Sequence, residues 1–211
     1  MTEIFDELLI RYPELCPCRE TIDSAAEILV SCFSQGGKVL TCGNGGSCSD
    51  SGHIVGEFMK GFEKKRPVPE EDRLRFSELF GEKGEYMAER LQCALPAISL
   101  PDQSAVISAF ANDIDPAMVY AQLVYGYGRK NDVLIGMSTS GNSTNVLNAA
   151  RAAVVRGMRV IALTGKNPCL LDDVADVVIH VPETRTAYVQ ELHLPVYHAL
   201  CAYSEYSFFK E

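Results

Sequence analysis

Residues 132–157 read DVLIGMSTSGNSTNVLNAARAAVVRG: a short apolar run, a hydroxyl-rich loop, then an alanine-rich helical pattern. The run Asp132–Met137 is near-continuously apolar rather than alternating, as expected of a strand covered on both faces. A helix over 143–157 follows, and Gly157 stands where it should stop. Runs of the same kind occur at Lys38–Cys42, Ala97–Leu100, Met158–Leu163 and Val177–Val181, with helical patterns between them, including 103–111 and 116–128. Strand alternating with helix predicts an α/β protein, a three-layer doubly wound sheet of five parallel strands.

Outward from this core the ends read as helices. Residues 20–35 carry an apolar stripe that stops at Gly36-Gly37, so 1–36 is expected to hold N-terminal helices. Residues 186–209 form a long apolar helical pattern, but Pro195 inside it removes a helix hydrogen bond and predicts a kink or a break. The stretch 63–93 is far more charged, with Pro67 and Pro69 at its entrance. It reads as an exposed excursion with helices near 72–80 and 84–93, within a single domain over 1–211.

Of the 211 residues, 47% are apolar and 22% charged, enough to bury a core and to exclude a disordered or fibrous chain. With 19 Lys and Arg against 28 Asp and Glu the net charge is −9, which argues against nucleic acid as a partner. A phosphate would have to be held locally, by backbone N–H groups and hydroxyls. The start carries no signal-peptide pattern, and no apolar stretch has the length to span a membrane. Cys16 and Cys18 are the closest of eight cysteines, and most of the rest sit singly in apolar segments. They read as small buried residues in a reducing cytoplasm.

The first strand runs into Cys42-Gly43-Asn44-Gly45-Gly46-Ser47, followed by a helical pattern from near Asp50. Strand, glycine loop and helix describe an anion or sugar site at the carboxyl edge of a sheet, although a plain tight turn has the same pattern. Neither nucleotide-binding glycine fingerprint is met, so no nucleotide cofactor is expected. The loop Ser138-Thr139-Ser140-Gly141-Asn142-Ser143 has four hydroxyls before a helix, where capping needs one, and this surplus favours a phosphate cradle. His53 and Glu57, four apart, share a helix face, as do Gln190 and His198, eight apart, if their helix continues. Taken singly, these are an exposed pair and a hydrogen-bonded helix histidine; His180 and His193 receive no role.

Together, CGNGGS-x-x-D-x-x-H-x-x-x-E at 42–57, Asn112-Asp113, the serine loop with its helix, GMRVIALTGK at 157–166 and QELHLPVYH at 190–198 resemble the sugar isomerase (SIS) domain. Within that family they resemble the bacterial phosphoheptose isomerases, over nearly the whole chain except about 63–95. The resemblance implies a flavodoxin-like fold and isomerisation of sedoheptulose 7-phosphate to D-glycero-D-manno-heptose 7-phosphate through an enediol. It implies that Ser138, Thr139, Ser140 and Ser143 bind phosphate, and that Asn44, Gly45, Gly46, Ser47, Asn112 and Asp113 face the sugar. It makes Glu57 the general base and His198 its acid–base partner. It also places zinc, where a member binds it, on His53, Glu57, Gln190 and His198, a plausible donor set. Homotetramers with shared sites are implied, Gln190 and His198 completing the site of another chain. Departures from the family pattern are Gly61 where a basic residue is common, Ala187 where an acid is common, the long excursion and Pro195. The alternatives are a non-catalytic SIS protein, such as one that associates with a replication initiator, a phosphosugar sensor, or an isomerase of another sugar phosphate; Glu57 and His198 favour an enzyme.

Overall fold

Five strands form where the apolar runs predict them, each within one or two residues: β1 (Val39–Gly43), β2 (Ala97–Ser99), β3 (Val133–Met137), β4 (Arg159–Thr164) and β5 (Val177–His180). The computed structural model describes residues 2–209. The strands pair in parallel in the order β2-β1-β3-β4-β5. Successive strand residues point to opposite faces, and both faces are covered. Val39, Val133, Ile135, Ile161 and Leu163 pack with α1 (Thr2–Arg11), α2 (Arg19–Ser34), α3 (Gly46–Met59) and α9 (Thr186–Phe208). Leu40, Leu134, Val160 and Ala162 pack with α7 (Val119–Tyr127) and α8 (Thr144–Val155) on the other side. α6 (Ser104–Asp113) links β2 to the short turn before α7.

From β1 the chain moves to one edge of the sheet, then returns to β3 and continues toward the other. The carboxyl ends of β1 and β3 therefore flank the point where the winding reverses, the crevice that binds ligands in open parallel sheets. The glycine loop leaves β1 here, and the serine loop leaves β3.

Four expectations are corrected. α3 begins at Gly46, not near Asp50, because Gly45 adopts φ +57° and turns the chain into the helix at once. The excursion holds α4 (Glu70–Phe80) and α5 (Glu82–Ala88), and the second helix stops before 93. The chain there is drawn out of helical geometry by Cys93 N–H, which donates to Arg66 O at 2.7 Å, and by a bridge between Pro67 and Gln92. The excursion is also not exposed throughout. The Arg66 and Glu205 side chains are both 0% exposed and pair at 2.7 Å. Finally, α9 runs unbroken through Pro195. The carbonyl deprived of its partner belongs to Glu191, an exposed residue, and the proline ring is buried in the core.

Candidate active site

The two loops at the crevice are tied to each other. Asn44 Nδ2 donates to Asn145 Oδ1 at 2.8 Å, and Asn145 Nδ2 returns a bond to Asn44 Oδ1 at 2.9 Å. Gly46 lies beneath the Gln190 side chain, and a Cβ there would stand 2.7 Å from its amide. A side chain at this position would displace the Gln190 amide from the loop. Ser47 is buried beside Gly43.

In the serine loop, Ser138 Oγ donates to Ser143 Oγ at 2.9 Å and lies 3.5 Å from Ser140 Oγ. Ser143 is the N-terminal cap residue of α8, yet its side chain makes no capping bond. The hydroxyls therefore bond among themselves at the positive end of a helix, an arrangement that can receive an anion. Thr139 is half-buried beside them, and Ser140 is exposed. Asn112 and Asp113 stand exposed at the end of α6, where Asn112 Nδ2 donates to Asp113 Oδ1 at 2.8 Å.

A second group forms between α3 and α9. His53 Nε2 lies 3.2 Å from Glu57 Oε1 and 3.3 Å from His198 Nε2. Lys60 Nζ lies 3.0 Å from Glu57 Oε2, so that oxygen of the carboxylate has a donor. Burial first, and then the neighbouring His53, holds His198 below the ordinary histidine value. Among the described residues no hydrogen bond joins Gln190 to this group. The structure brings together three of the four expected metal ligands and sets Gln190 beside Gly46 instead. It also puts His198 beside His53 of its own chain.

Two residues behind His53 carry no role in the sequence analysis. Tyr197 Oη donates to Asp50 Oδ1 at 3.1 Å and accepts from His53 Nδ1 at 3.0 Å. Burial, and then Asp50, drives the Tyr197 phenol far above its usual value, so it keeps its proton. With that proton on Asp50, His53 must carry its own on Nδ1 and turn a lone pair outward from Nε2. This is the tautomer that a metal ligand needs, so His53, Glu57 and His198 fit a zinc ion in their chemistry. Asp50 stands in the quoted motif, but Tyr197 is hidden in an apolar helix pattern.

A separate group, Cys169, Asp172 and His180, places three donor atoms within 4.8 Å of one another, close enough to hold a metal ion. No helix among the described residues is long and apolar enough to cross a membrane.

The SIS domain family model matches residues 18–75 and 73–165 of this chain. A phosphoheptose isomerase of Laribacter hongkongensis is 38% identical over 189 residues, 88% of this chain and 83% of its own length. The structure of the phosphoheptose isomerase from Neisseria gonorrhoeae superposes with a TM-score of 0.71 at 31% identity, over 95% of this chain and 97% of the other. That of the enzyme from Francisella tularensis gives 0.72 at 28% identity with the same coverage.

Proposed function

The chain belongs to the SIS-domain family, in its phosphoheptose isomerase branch, and we propose that it is an aldose–ketose isomerase converting sedoheptulose 7-phosphate to D-glycero-D-manno-heptose 7-phosphate in the cytoplasm. The observation that carries this reading is the Glu57–His53–His198 row, a carboxylate and a neutral imidazole within one group. The reaction moves a proton between C1 and C2 through an enediol while protons shift between the two oxygens. Glu57 takes the carbon-bound proton on Oε1, the oxygen that Lys60 does not hold. His198, kept neutral by burial and by His53, exchanges protons with the sugar oxygens. Ser138, Thr139, Ser140 and Ser143 hold the phosphate, which does not react and serves to position C1 and C2. Asn44, Gly45, Gly46, Ser47, Asn112, Asp113 and Gln190 face the sugar.

Zinc held by His53, Glu57 and His198 would polarise the carbonyl and stabilise the enediolate. The tyrosine behind His53 keeps that imidazole in the tautomer able to accept it.

The site is shared between subunits of a homotetramer. Glu57 follows Gly46 by eleven residues on α3, about 16 Å along the helix at 1.5 Å per residue, so the carboxylate stands well away from the glycine loop of its own chain. In this arrangement a sugar seated on one chain's serine loop meets the carboxylate of another. Because His198 sits with Glu57 of its own chain, the division falls between the loops and this group, rather than between Glu57 and His198.

The test is turnover of sedoheptulose 7-phosphate by metal-analysed protein, with Glu57→Gln as control. Removing the base lowers kcat by about 10²–10⁴-fold with little change in substrate binding. Turnover unchanged in the variant overturns the assignment of Glu57, and binding without turnover in the parent points to another ketose phosphate or a binding role. Mixed tetramers of Glu57→Gln and a Ser138→Ala/Ser140→Ala variant regain activity, whereas mixtures of Glu57→Gln and His198→Ala do not.

A further inference from the structure

Beyond the crevice, the Cys169, Asp172 and His180 side chains meet where the chain leaving β4 turns back toward β5. Asp172 Oδ2 accepts the Cys169 backbone N–H at 2.8 Å, which fixes the carboxylate and leaves Oδ1 facing inward. That Oδ1 lies 2.8 Å from His180 Nε2 and 3.5 Å from Cys169 Sγ. His180 Nδ1 lies 2.8 Å from the Gly165 carbonyl oxygen, which can only accept, so Nδ1 carries a proton. The other ring nitrogen of a neutral His180 then turns a lone pair on a carboxylate oxygen 2.8 Å away. Two acceptors this close repel unless a positive charge stands between them.

We propose that this charge is a divalent zinc-class cation, bound by Cys169 Sγ, Asp172 Oδ1 and His180 Nε2 with its fourth position open to water. Sulfur and nitrogen donors select zinc and its neighbours over magnesium or calcium, which prefer all-oxygen sites. The atoms behind the ligands suit such a site. A ligating imidazole characteristically donates its other N–H to a carbonyl or carboxylate, and Gly165 O fills that role, with Thr164 Oγ1 at 3.0 Å alongside. On binding, the Cys169 S–H bond breaks, its proton leaves to water and a sulfur–metal bond forms, with no change of oxidation state.

The cation sits against the back of the serine loop. A Cβ on Gly141 would collide with Cys169, and Leu170 N–H donates to Asn142 Oδ1 at 2.9 Å. Tying Cys169 to His180 therefore pins the β4–β5 connection under the loop that we assign to phosphate. The site is distinct from His53, Glu57 and His198, which include no sulfur.

Cobalt(II) separates the two groups, because a thiolate ligand alone gives a strong sulfur-to-cobalt charge-transfer band in the near ultraviolet. Titration of the metal-free full chain with cobalt gives this band at one equivalent, and zinc removes it. The band persists in His53→Ala/His198→Ala and is lost in Cys169→Ser, whose circular dichroism matches the parent's. Asp172→Asn keeps the sulfur and weakens cobalt binding at least tenfold. No charge-transfer band in the parent, or a band that survives Cys169→Ser, overturns the proposal. In the first case a proton rather than a metal bridges His180 and Asp172; in the second another cysteine binds the cobalt.

Discussion

Replacing Glu205 by glutamine tests how the excursion is anchored to the candidate site. Glu205 accepts four hydrogen bonds: from Phe62 N at 2.8 Å, Glu63 N at 2.7 Å, Lys64 N at 3.1 Å and Arg66 Nε at 2.7 Å. Arg66 in turn donates to the carbonyls of Phe58 at 2.6 Å and Glu57 at 3.1 Å, closing the end of α3. In Glu205→Gln the buried guanidinium keeps its charge but loses its counter-charge, and one amide N–H₂ meets backbone donors. An uncompensated buried charge costs about 3–5 kcal/mol. The surviving amide oxygen still accepts from two donors, which places the expected loss at the lower end, about 3 kcal/mol. At about 2–4 °C per kcal/mol for a chain of this size, Tm should fall by about 6–12 °C. Thermal unfolding followed by circular dichroism at matched protein concentrations reads this directly. Arg66→Met/Glu205→Gln removes the stranded charge and should recover part of the loss. A fall of less than about 2 °C, or a double variant whose loss is the sum of the single losses, would refute the reasoning. The same pair sets an acid limit. Burial raises the Glu205 carboxyl, but the N–H groups of Phe62 and Glu63 together with Arg66 outweigh it and hold the pKa below its ordinary value. Its contribution is therefore complete above the ordinary carboxylate range and is lost as pH falls below it.

Tyr197→Phe deletes the hydroxyl between Asp50 and His53 and frees the His53 tautomer. Loss of such an outer partner typically costs about 10–100-fold, so kcat should fall by that factor with KM nearly unchanged; a change confined to KM contradicts the role. His193 is fully buried with Nε2 3.3 Å from Thr164 O, and burial lowers its pKa from 6.5 to about 4. The unfolded chain therefore binds the proton first on acidification. His193 contributes nothing to the pH dependence above about 6.5, and stability drains away between that value and about 4, by about 3 kcal/mol at most. Urea midpoints at pH 7 and 5 should separate less in His193→Leu than in the parent, and an equal separation removes His193 as the cause.

The sheet was legible because its strands are buried on both faces and so read as unbroken apolar runs. Both crevice loops could be placed from their glycines and hydroxyls, since each must follow a strand. What escaped were contacts made over long sequence separations. Tyr197 looks like any core aromatic of α9 until Asp50 and His53 are found beside it. Arg66 lies in the most charged stretch of the chain, where composition cannot tell a solvated arginine from one bonded to Glu205. Pro195 misled because the cost of a helix proline depends on whether the orphaned carbonyl is buried, and exposure at Glu191 is invisible in one dimension. Residue types for the candidate chemistry were readable, while the setting apart of Gln190 was not, because it depends on Gly46 letting its side chain lie across the loop.

The reciprocal bond between Asn44 and Asn145 fixes the spacing of the two crevice loops with groups that carry no charge and have no proton to exchange near neutrality. A carboxylate and a lysine in those places would loosen in acid and weaken as salt screens them. Two amides do neither. The opening between the loops should thus keep its width across the pH range over which a phosphate monoester passes from one negative charge to two. A pH dependence of ligand affinity in that range then reports the ionisation of the ligand or of the histidines beyond the loops, rather than a change in the frame that holds the phosphate.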